Sequence, residues 1–245
     1  MRMQNIEGQT VPSARFKPVT SAGIETISTD DIFSGKTVVV FSLPGAFTPT
    51  CSSSHLPRYD ELAPLLHKAG VDEIVCLSVN DGFVMKAWES DQACKNVRVL
   101  PDGNGEFTRG MGALVEKDDL GFGHRSWRYS MLVRDGKIEK MFIEPDQPGD
   151  PFEVSDADTM LKHLAPEQEL PKKAALFTRD DCGHCRNAKV LLEEANISFE
   201  EIKIGKQANT PSALAAVTGA TTVPQLYVDG KLIGDGEAIK AWAAV

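Results

Sequence analysis

Residues 41–51 read Phe41-Ser42-Leu43-Pro44-Gly45-Ala46-Phe47-Thr48-Pro49-Thr50-Cys51, and they follow the apolar, β-branched run Thr37-Val38-Val39-Val40. The run through Leu43 predicts a strand buried on both faces. The Pro/Gly cluster closes it in a tight loop, and helical periodicity begins after a Ser-rich segment. The order is therefore strand, loop, helix, with Cys51 in the helix's first turn. Unsatisfied N–H groups and the positive end of the helix dipole favour an anion there, which suits a thiolate. Thr48, three residues earlier on the same bend, offers a hydroxyl to orient an oxygen-containing substrate. Pro44 and Pro49 stiffen the loop and remove competing backbone donors. The alternative is a buried structural cysteine after a strand.

The composition suits a globular protein rather than a nucleic-acid or membrane binder. The chain has 245 residues, 42% hydrophobic and 25% charged, with a net charge of −9. That balance suits one large domain or two modest ones, and it disfavours nucleic acid or an anionic membrane surface as partner. Neither an N-terminal apolar segment nor a membrane-length apolar run is present, so a cytoplasmic protein is expected. Five cysteines, at 51, 76, 94, 182 and 185, form no secreted disulfide framework.

Working outward, residues 23–27 alternate as in a hairpin, and Ser28-Thr29-Asp30-Asp31 caps a short helix ending at Gly35. Leu62, Leu65 and Leu66 have helical spacing over residues 56–69, where Pro57 and Pro64 predict a bend or break. Residues 74–79 form a buried strand, in which Cys76 reads as a small core residue. Residues 81–93 predict a helix with Phe83, Val84, Ala87 and Trp88 on one face. Cys94 at its end is either an inert thiol or a resolving partner for Cys51. A third strand covers 97–100, leading into the turn cluster 101–105. Asp135-Gly136 joins strands 129–133 and 137–143 as a hairpin. Arg125 and Arg128 stand just before that hairpin, and residues 155–164 predict a capped helix.

Residues 165–173 are polar, bracketed by Pro166 and Pro171, and read as a linker. The pattern then restarts. Residues 174–178 predict a strand, 179–181 a loop, and Cys182-Gly183-His184-Cys185 opens a helix that runs through Ala195 and ends at Asn196. A Cys-x-x-Cys at a strand-to-helix junction in a small βαβ unit reads as a redox dithiol, and no further ligand pair supports a four-ligand zinc site. Cys182, nearest the helix N-terminus, is the expected nucleophile and Cys185 the resolver. Thr221-Thr222-Val223-Pro224-Gln225 precedes a short strand, and Asp229-Gly230 forms a hairpin.

Pro44, Thr48 and Cys51 in PGAFTPTCS resemble the peroxidatic motif of peroxiredoxins, closest to the peroxiredoxin 5 group. SWRYSMLV resembles the segment whose arginine contacts the peroxidatic sulfur, which falls on Arg128. From residue 174 the chain resembles glutaredoxins, whose Thr-Val-Pro carries a cis-proline facing the dithiol. The Cys-Gly-His-Cys sequence itself is similar to protein disulfide isomerase sites. The whole chain resembles the hybrid peroxiredoxin–glutaredoxin family of bacteria.

That resemblance implies α/β architecture, with two thioredoxin-like domains at 1–165 and 174–245 joined by a linker at 166–173, each a mixed central sheet flanked by helices. It implies a thiol peroxidase acting on hydrogen peroxide and alkyl hydroperoxides through Cys51, with Pro44, Thr48, Arg128, Cys182 and Cys185 as catalytic residues. Glutathione is implied as reducing co-substrate, contacted by Arg179, Thr222, Val223, Pro224, Gly234 and Asp235 and recycled by glutathione reductase and NADPH. No tightly bound cofactor or metal is expected. A homo-oligomer, dimer or tetramer, follows from the peroxiredoxin likeness, and the linker stiffened by Pro166 and Pro171 leads us to expect exchange between subunits. Three other readings remain at this stage. One is a peroxidase resolved by Cys94 beside an independent disulfide reductase or isomerase, a second is a redox-sensing relay, and a third, since the Cys-x-x-Cys motif lacks the usual proline, is a carrier of a glutathione-ligated iron–sulfur cluster.

Overall fold

The computed structural model describes residues 3–195, 197–205 and 209–244, so the helix end expected at Asn196 lies outside the described residues. The chain divides into two compact units between Gln168 and Glu169.

In the first unit, four two-residue strands, β1 (Arg15–Phe16), β2 (Val19–Thr20), β3 (Gly23–Ile24) and β4 (Ile27–Ser28), pair as β1–β4 and β2–β3. Ser28 then caps α1 (Thr29–Phe33) in a reciprocal capping box with Asp31. β5 (Thr37–Leu43) follows as the sequence predicts. After it come α2 (Leu56–Lys68), β6 (Glu73–Ser78), α3 (Gly82–Asp91), β7 (Arg98–Pro101), α4 (Glu106–Gly110), β8 (Leu114–Glu116), β9 (His124–Ser126), β10 (Tyr129–Arg134), β11 (Lys137–Ile143) and α5 (Ala157–Leu164).

The central sheet has the order β11-β10-β5-β6-β7, with β5, β6 and β7 parallel and β10 antiparallel to both its neighbours. β5 is central, and its alternate residues feed two cores. Val38 and Val40 pack with Phe33 of α1 and Phe107 of α4 on one face, while Val39, Phe41 and Leu43 pack with α2, α3 and α5 on the other. A strand covered on both faces has no polar side to alternate with, which is why the run is continuously apolar. The β10–β11 turn places Asp135 and Gly136 at φ 45° and 73°, as the Asp-Gly dipeptide predicts.

Three local expectations give way to packing. α2 runs unbroken through Pro64. The missing Pro64 N–H frees the Asp60 carbonyl one turn back, and that oxygen accepts instead from Asn96 Nδ2 at 3.2 Å. α3 is capped by Asp81 and turns Trp88 inward as expected, but Met85 joins it in the core while Phe83 is 65% exposed. The cap of α5 is Asp156, while the preceding Ser155 is buried.

The second unit contains β12 (Ala174–Thr178), α6 (Gly183–Glu194), β13 (Glu200–Lys203), α7 (Pro211–Thr218), β14 (Gln225–Val228), β15 (Lys231–Gly234) and α8 (Gly236–Ala243). Its sheet order is β13-β12-β14-β15, with β12 and β13 parallel and the other pairs antiparallel. Leu176, Leu226 and Val228 of the sheet pack against Ala188 and Leu192 of α6 and Ile239 of α8.

Candidate active sites

Cys51 follows β5 at the C-terminal edge of the sheet and is fully buried. The helix it opens is not α-helical in its first turn. Cys51–His55 form a π-turn, closed by the Leu56 N–H on the Cys51 carbonyl, before α2 begins. Such wide turns are common at functional sites. The Thr48 hydroxyl donates to the Gly45 carbonyl at 2.9 Å, and the Ser52 N–H donates to the Thr48 carbonyl at 3.0 Å. With its proton committed to Gly45, the Thr48 oxygen presents lone pairs and acts as an acceptor. Asn80 Oδ1, reached from the end of β6, takes the Ala46 N–H at 3.1 Å and pins the loop from behind. Pro44 is buried beneath the same loop.

Arg128 enters from just before β10, 1% exposed, and its Nη2 lies 3.5 Å from Cys51 Sγ. Each of its nitrogens has a further partner. Nε donates to Asp150 Oδ1 at 3.1 Å, and Nη2 also donates to Asp150 Oδ2. Nη1 donates to His55 Nδ1 at 2.9 Å. Since Nδ1 accepts, the His55 proton sits on Nε2, which donates to the Ser155 carbonyl at 3.1 Å. Burial, then the adjacent Arg128 charge, hold His55 well below the ordinary histidine value, so the ring is neutral.

The contacts continue as a closed ring. Ser155 donates its N–H to Glu144 Oε1 at 2.8 Å, and the Glu144 N–H returns to the Arg128 carbonyl at 3.2 Å. Phe152 covers the guanidinium, its ring centre 5.4 Å from Cζ. A cation so enclosed keeps one position.

His55, Asp150 and Glu144 were not picked out from the sequence. His55 alone had a readable signal, because it stands four residues after Cys51 and so on the same helical face. Asp150 and Glu144 lie in stretches with no local pattern. Arg125, the other arginine flagged there, spends Nη1 on the Val79 carbonyl at 2.5 Å.

The remaining cysteines of this unit are poorly placed to resolve Cys51. Cys94 Sγ donates to Asp60 Oδ1 at 3.3 Å. Asp60 is nine residues beyond Cys51 along the same helical stretch, about 13 Å at 1.5 Å per residue. A disulfide needs Cα atoms within about 7 Å. Burial pushes the Cys94 thiol up to about 12, and the Asp60 carboxylate adds to the effect. Cys76 sits inside β6, its thiol also pushed up by burial.

In the second unit Cys182 is the N-cap of α6, and its Sγ accepts the Cys185 N–H at 3.1 Å. The two cysteines are joined as a disulfide, Cα to Cα 5.3 Å. Val223–Pro224 is cis, and the Val223 carbonyl lies 3.9 Å from Cys182 Sγ. Pro224 is buried beside the dithiol, with Thr222 exposed next to it. Gly236 approaches Pro224, so that a Cβ on it would lie 3.8 Å from Pro224 Cγ. Gly234 has φ +126°, and a Cβ there would meet that of Ala238 at 2.9 Å, so only glycine fits. Asp235 spends its carboxylate capping α8 through the Glu237 and Ala238 N–H groups. Arg179 is exposed just ahead of the dithiol and makes no ion pair with a described residue.

Residues 6–161 match the redoxin family model and residues 174–233 the glutaredoxin model. A hybrid peroxiredoxin of Haemophilus influenzae, hyPrx5, is 55% identical over 242 residues, covering 99% of this chain and all of that protein. A peroxiredoxin of Synechocystis is 63% identical over 158 residues, 61% of this chain and 84% of its own. Among solved structures, reduced Prx3 of Vibrio vulnificus in complex with hydrogen peroxide is 41% identical. It superposes with a TM-score of 0.62, covering 66% of this chain and 99% of that one. Both units are thus thioredoxin-like, and no helix among the described residues is long and apolar enough to cross a membrane. With the redoxin and glutaredoxin models matched in tandem and a hybrid peroxiredoxin aligned from end to end, the chain belongs to the hybrid peroxiredoxins, thiol peroxidases of the redoxin family with a fused glutaredoxin domain.

Proposed function

We propose that this peroxidase reduces hydrogen peroxide and alkyl hydroperoxides with glutathione, and that the fused dithiol carries the reducing equivalents. One observation supports this most directly: Cys51 has Arg128 at 3.5 Å, whereas Cys94, its candidate resolver within the domain, lies about two and a half helical turns away. Reduction then comes from outside the domain.

The Cys51 thiolate attacks one peroxide oxygen and the O–O bond breaks. Cys51 becomes a sulfenic acid, and the other oxygen leaves as water or alcohol after taking a proton. Thr48 accepts a hydrogen bond from the peroxide, while Arg128 stabilises the charge passing across the O–O bond. Glutathione condenses with the sulfenic acid, releasing water and leaving a mixed disulfide on Cys51. Cys182 takes the glutathionyl group, which returns Cys51 to the thiol. Cys185 then displaces glutathione and closes the Cys182–Cys185 disulfide, and two glutathiones reopen it as glutathione disulfide. The sum is one peroxide and two glutathiones to water, water or alcohol, and glutathione disulfide. Glutathione reductase and NADPH restore the thiol.

Glutathione binding is assigned to the exposed Thr222, the Val223 backbone beside Cys182, Pro224, Gly234 and Asp235. Arg179, which makes no ion pair with a described residue, receives a carboxylate. The capping role of Asp235 limits it to a backbone contact. Covalent linkage of the units places the dithiol at millimolar effective concentration. We assign the protein to the cytoplasm and expect a dimer or tetramer with exchange between subunits.

The test is peroxide consumption with glutathione as sole reductant, for the intact chain, Cys51→Ser and Cys182→Ser. Turnover by the intact chain and its loss in both variants is expected. Full activity in Cys182→Ser would uncouple the two units.

A further inference from the structure

We propose that Asp150 is a positioning residue for the peroxide reaction, acting through Arg128, and that residues 145–152 form a strap whose anchoring sets the aim of that cation. Asp150 occupies the Nε/Nη2 edge of the guanidinium with both carboxylate oxygens. A planar fork held at two points along one edge cannot rotate, so the second proton of Nη2 is left pointing at Cys51 Sγ. Asp150 does not touch the sulfur.

The strap itself is fastened at three places. Lys117, only 6% exposed, donates Nζ to the Gly149 carbonyl at 2.6 Å and lies over the Trp127 ring at 4.5 Å. Phe152 packs on His55 with ring centres 4.8 Å apart. Beyond it, Glu144 accepts the N–H groups of Glu153, Val154 and Ser155 at 2.8–3.0 Å. A buried lysine spent on one carbonyl beside Asp150 is an expensive tie for a surface loop, and the position of Asp150 is what it fixes.

The aiming role of Asp150 is separable from a merely structural one. Asp150→Asn keeps the size of the side chain but gives up the two-oxygen hold on the Nε/Nη2 edge, so the cation loses its aim and the reaction slows, whereas Asp150→Glu keeps a carboxylate that can regain that hold.

Both readouts are taken on the full chain with the Cys182–Cys185 pair oxidised. Stopped-flow oxidation by hydrogen peroxide reports the rate, and the melting temperature reports the fold. For Asp150→Asn, the rate constant is expected to fall at least tenfold with the melting temperature unchanged, and Asp150→Glu is expected to recover most of the loss. Lys117→Met, which frees Gly149 but leaves the carboxylate, is expected to slow oxidation several-fold. A rate within threefold of the unsubstituted chain in Asp150→Asn overturns the proposal. So does a slowed reaction that Asp150→Glu does not rescue and that falls together with the melting temperature, because Asp150 would then be holding the fold rather than aiming the cation.

Discussion

Replacing Arg128 by lysine isolates what the guanidinium fork contributes beyond its charge. The native side chain makes charge-assisted contacts to Cys51, His55 and Asp150 and is fully buried. Lysine keeps the positive charge and a bond to Asp150, but its single nitrogen cannot also reach Cys51 Sγ and His55 Nδ1 in the fork's geometry. A hydrogen bond to a charged group contributes about 1.5–3 kcal/mol. At about 1.4 kcal/mol per tenfold, loss of the Cys51 contact alone slows peroxide attack by about 10- to 150-fold. Arg128→Met also removes a unit charge 3.5 Å from the sulfur, a Coulomb term of about 5 kcal/mol at an effective dielectric of 20. The methionine variant is therefore the slower of the two. It leaves Asp150 and His55 without their shared partner, so its melting temperature is read alongside. The assay is competition with horseradish peroxidase for limiting hydrogen peroxide, which gives the second-order rate constant of Cys51 directly. A lysine variant within threefold of the native constant would refute the argument that the fork, rather than positive charge alone, serves the reaction.

Cys94→Ser is expected to leave glutathione-supported turnover within twofold, because its sulfur is bound at Asp60 far along the helix; loss of turnover, measured by NADPH consumption through glutathione reductase, would restore a resolving role. The buried neutral His55 predicts acid sensitivity. Its folded value is depressed below the unfolded value of about 6.5, so below that pH the unfolded state binds a proton the folded state does not. Stability contributed by His55 is present above about pH 6.5 and falls by about 1.4 kcal/mol per pH unit on acidification toward its folded value. Urea melts of the native chain and His55→Asn at pH 7, 6 and 5 check this; the native chain should lose more, and equal losses would contradict it.

The parts of the fold that are legible in the sequence are those fixed by neighbours along the chain. The strand at 37–43, the Asp-Gly hairpin at 135–136, the Ser28 cap and the helix opened by Cys182 all depend on patterns within a few residues. The site cysteines, Thr48 and Arg128 are legible for the same reason, since each stands in a short motif. What is not legible depends on distant partners. The continuity of α2 through Pro64 needs Asn96, 36 residues beyond the Asp60 carbonyl it satisfies. The clasp on Arg128 draws His55 from 73 residues upstream and Asp150 from 22 downstream. Nothing local marks either pairing. The inward face of α3 is legible only in part: Trp88 meets the core as its spacing predicts, but Met85 joins it there and the more hydrophobic Phe83 faces outward.

Burial of the sulfur divides the proposed relay by size. Hydrogen peroxide is small enough to reach a fully enclosed Cys51, whereas a tripeptide thiol is not, so the second half-reaction requires the turn Cys51–His55 to open. The ties that hold the turn are few and specific. Trp88 Nε1 donates to Ser52 Oγ at 3.0 Å, Arg128 contacts Sγ, and His55 is gripped by Arg128 and Ser155. Only one of these depends on the charge of the sulfur. Conversion of thiolate to sulfenic acid removes the anion that Arg128 faces, weakening that tie while Asp150 retains the cation. On the proposed relay, opening is thereby coupled to oxidation, and the reduced protein keeps its cysteine enclosed until a peroxide has been consumed.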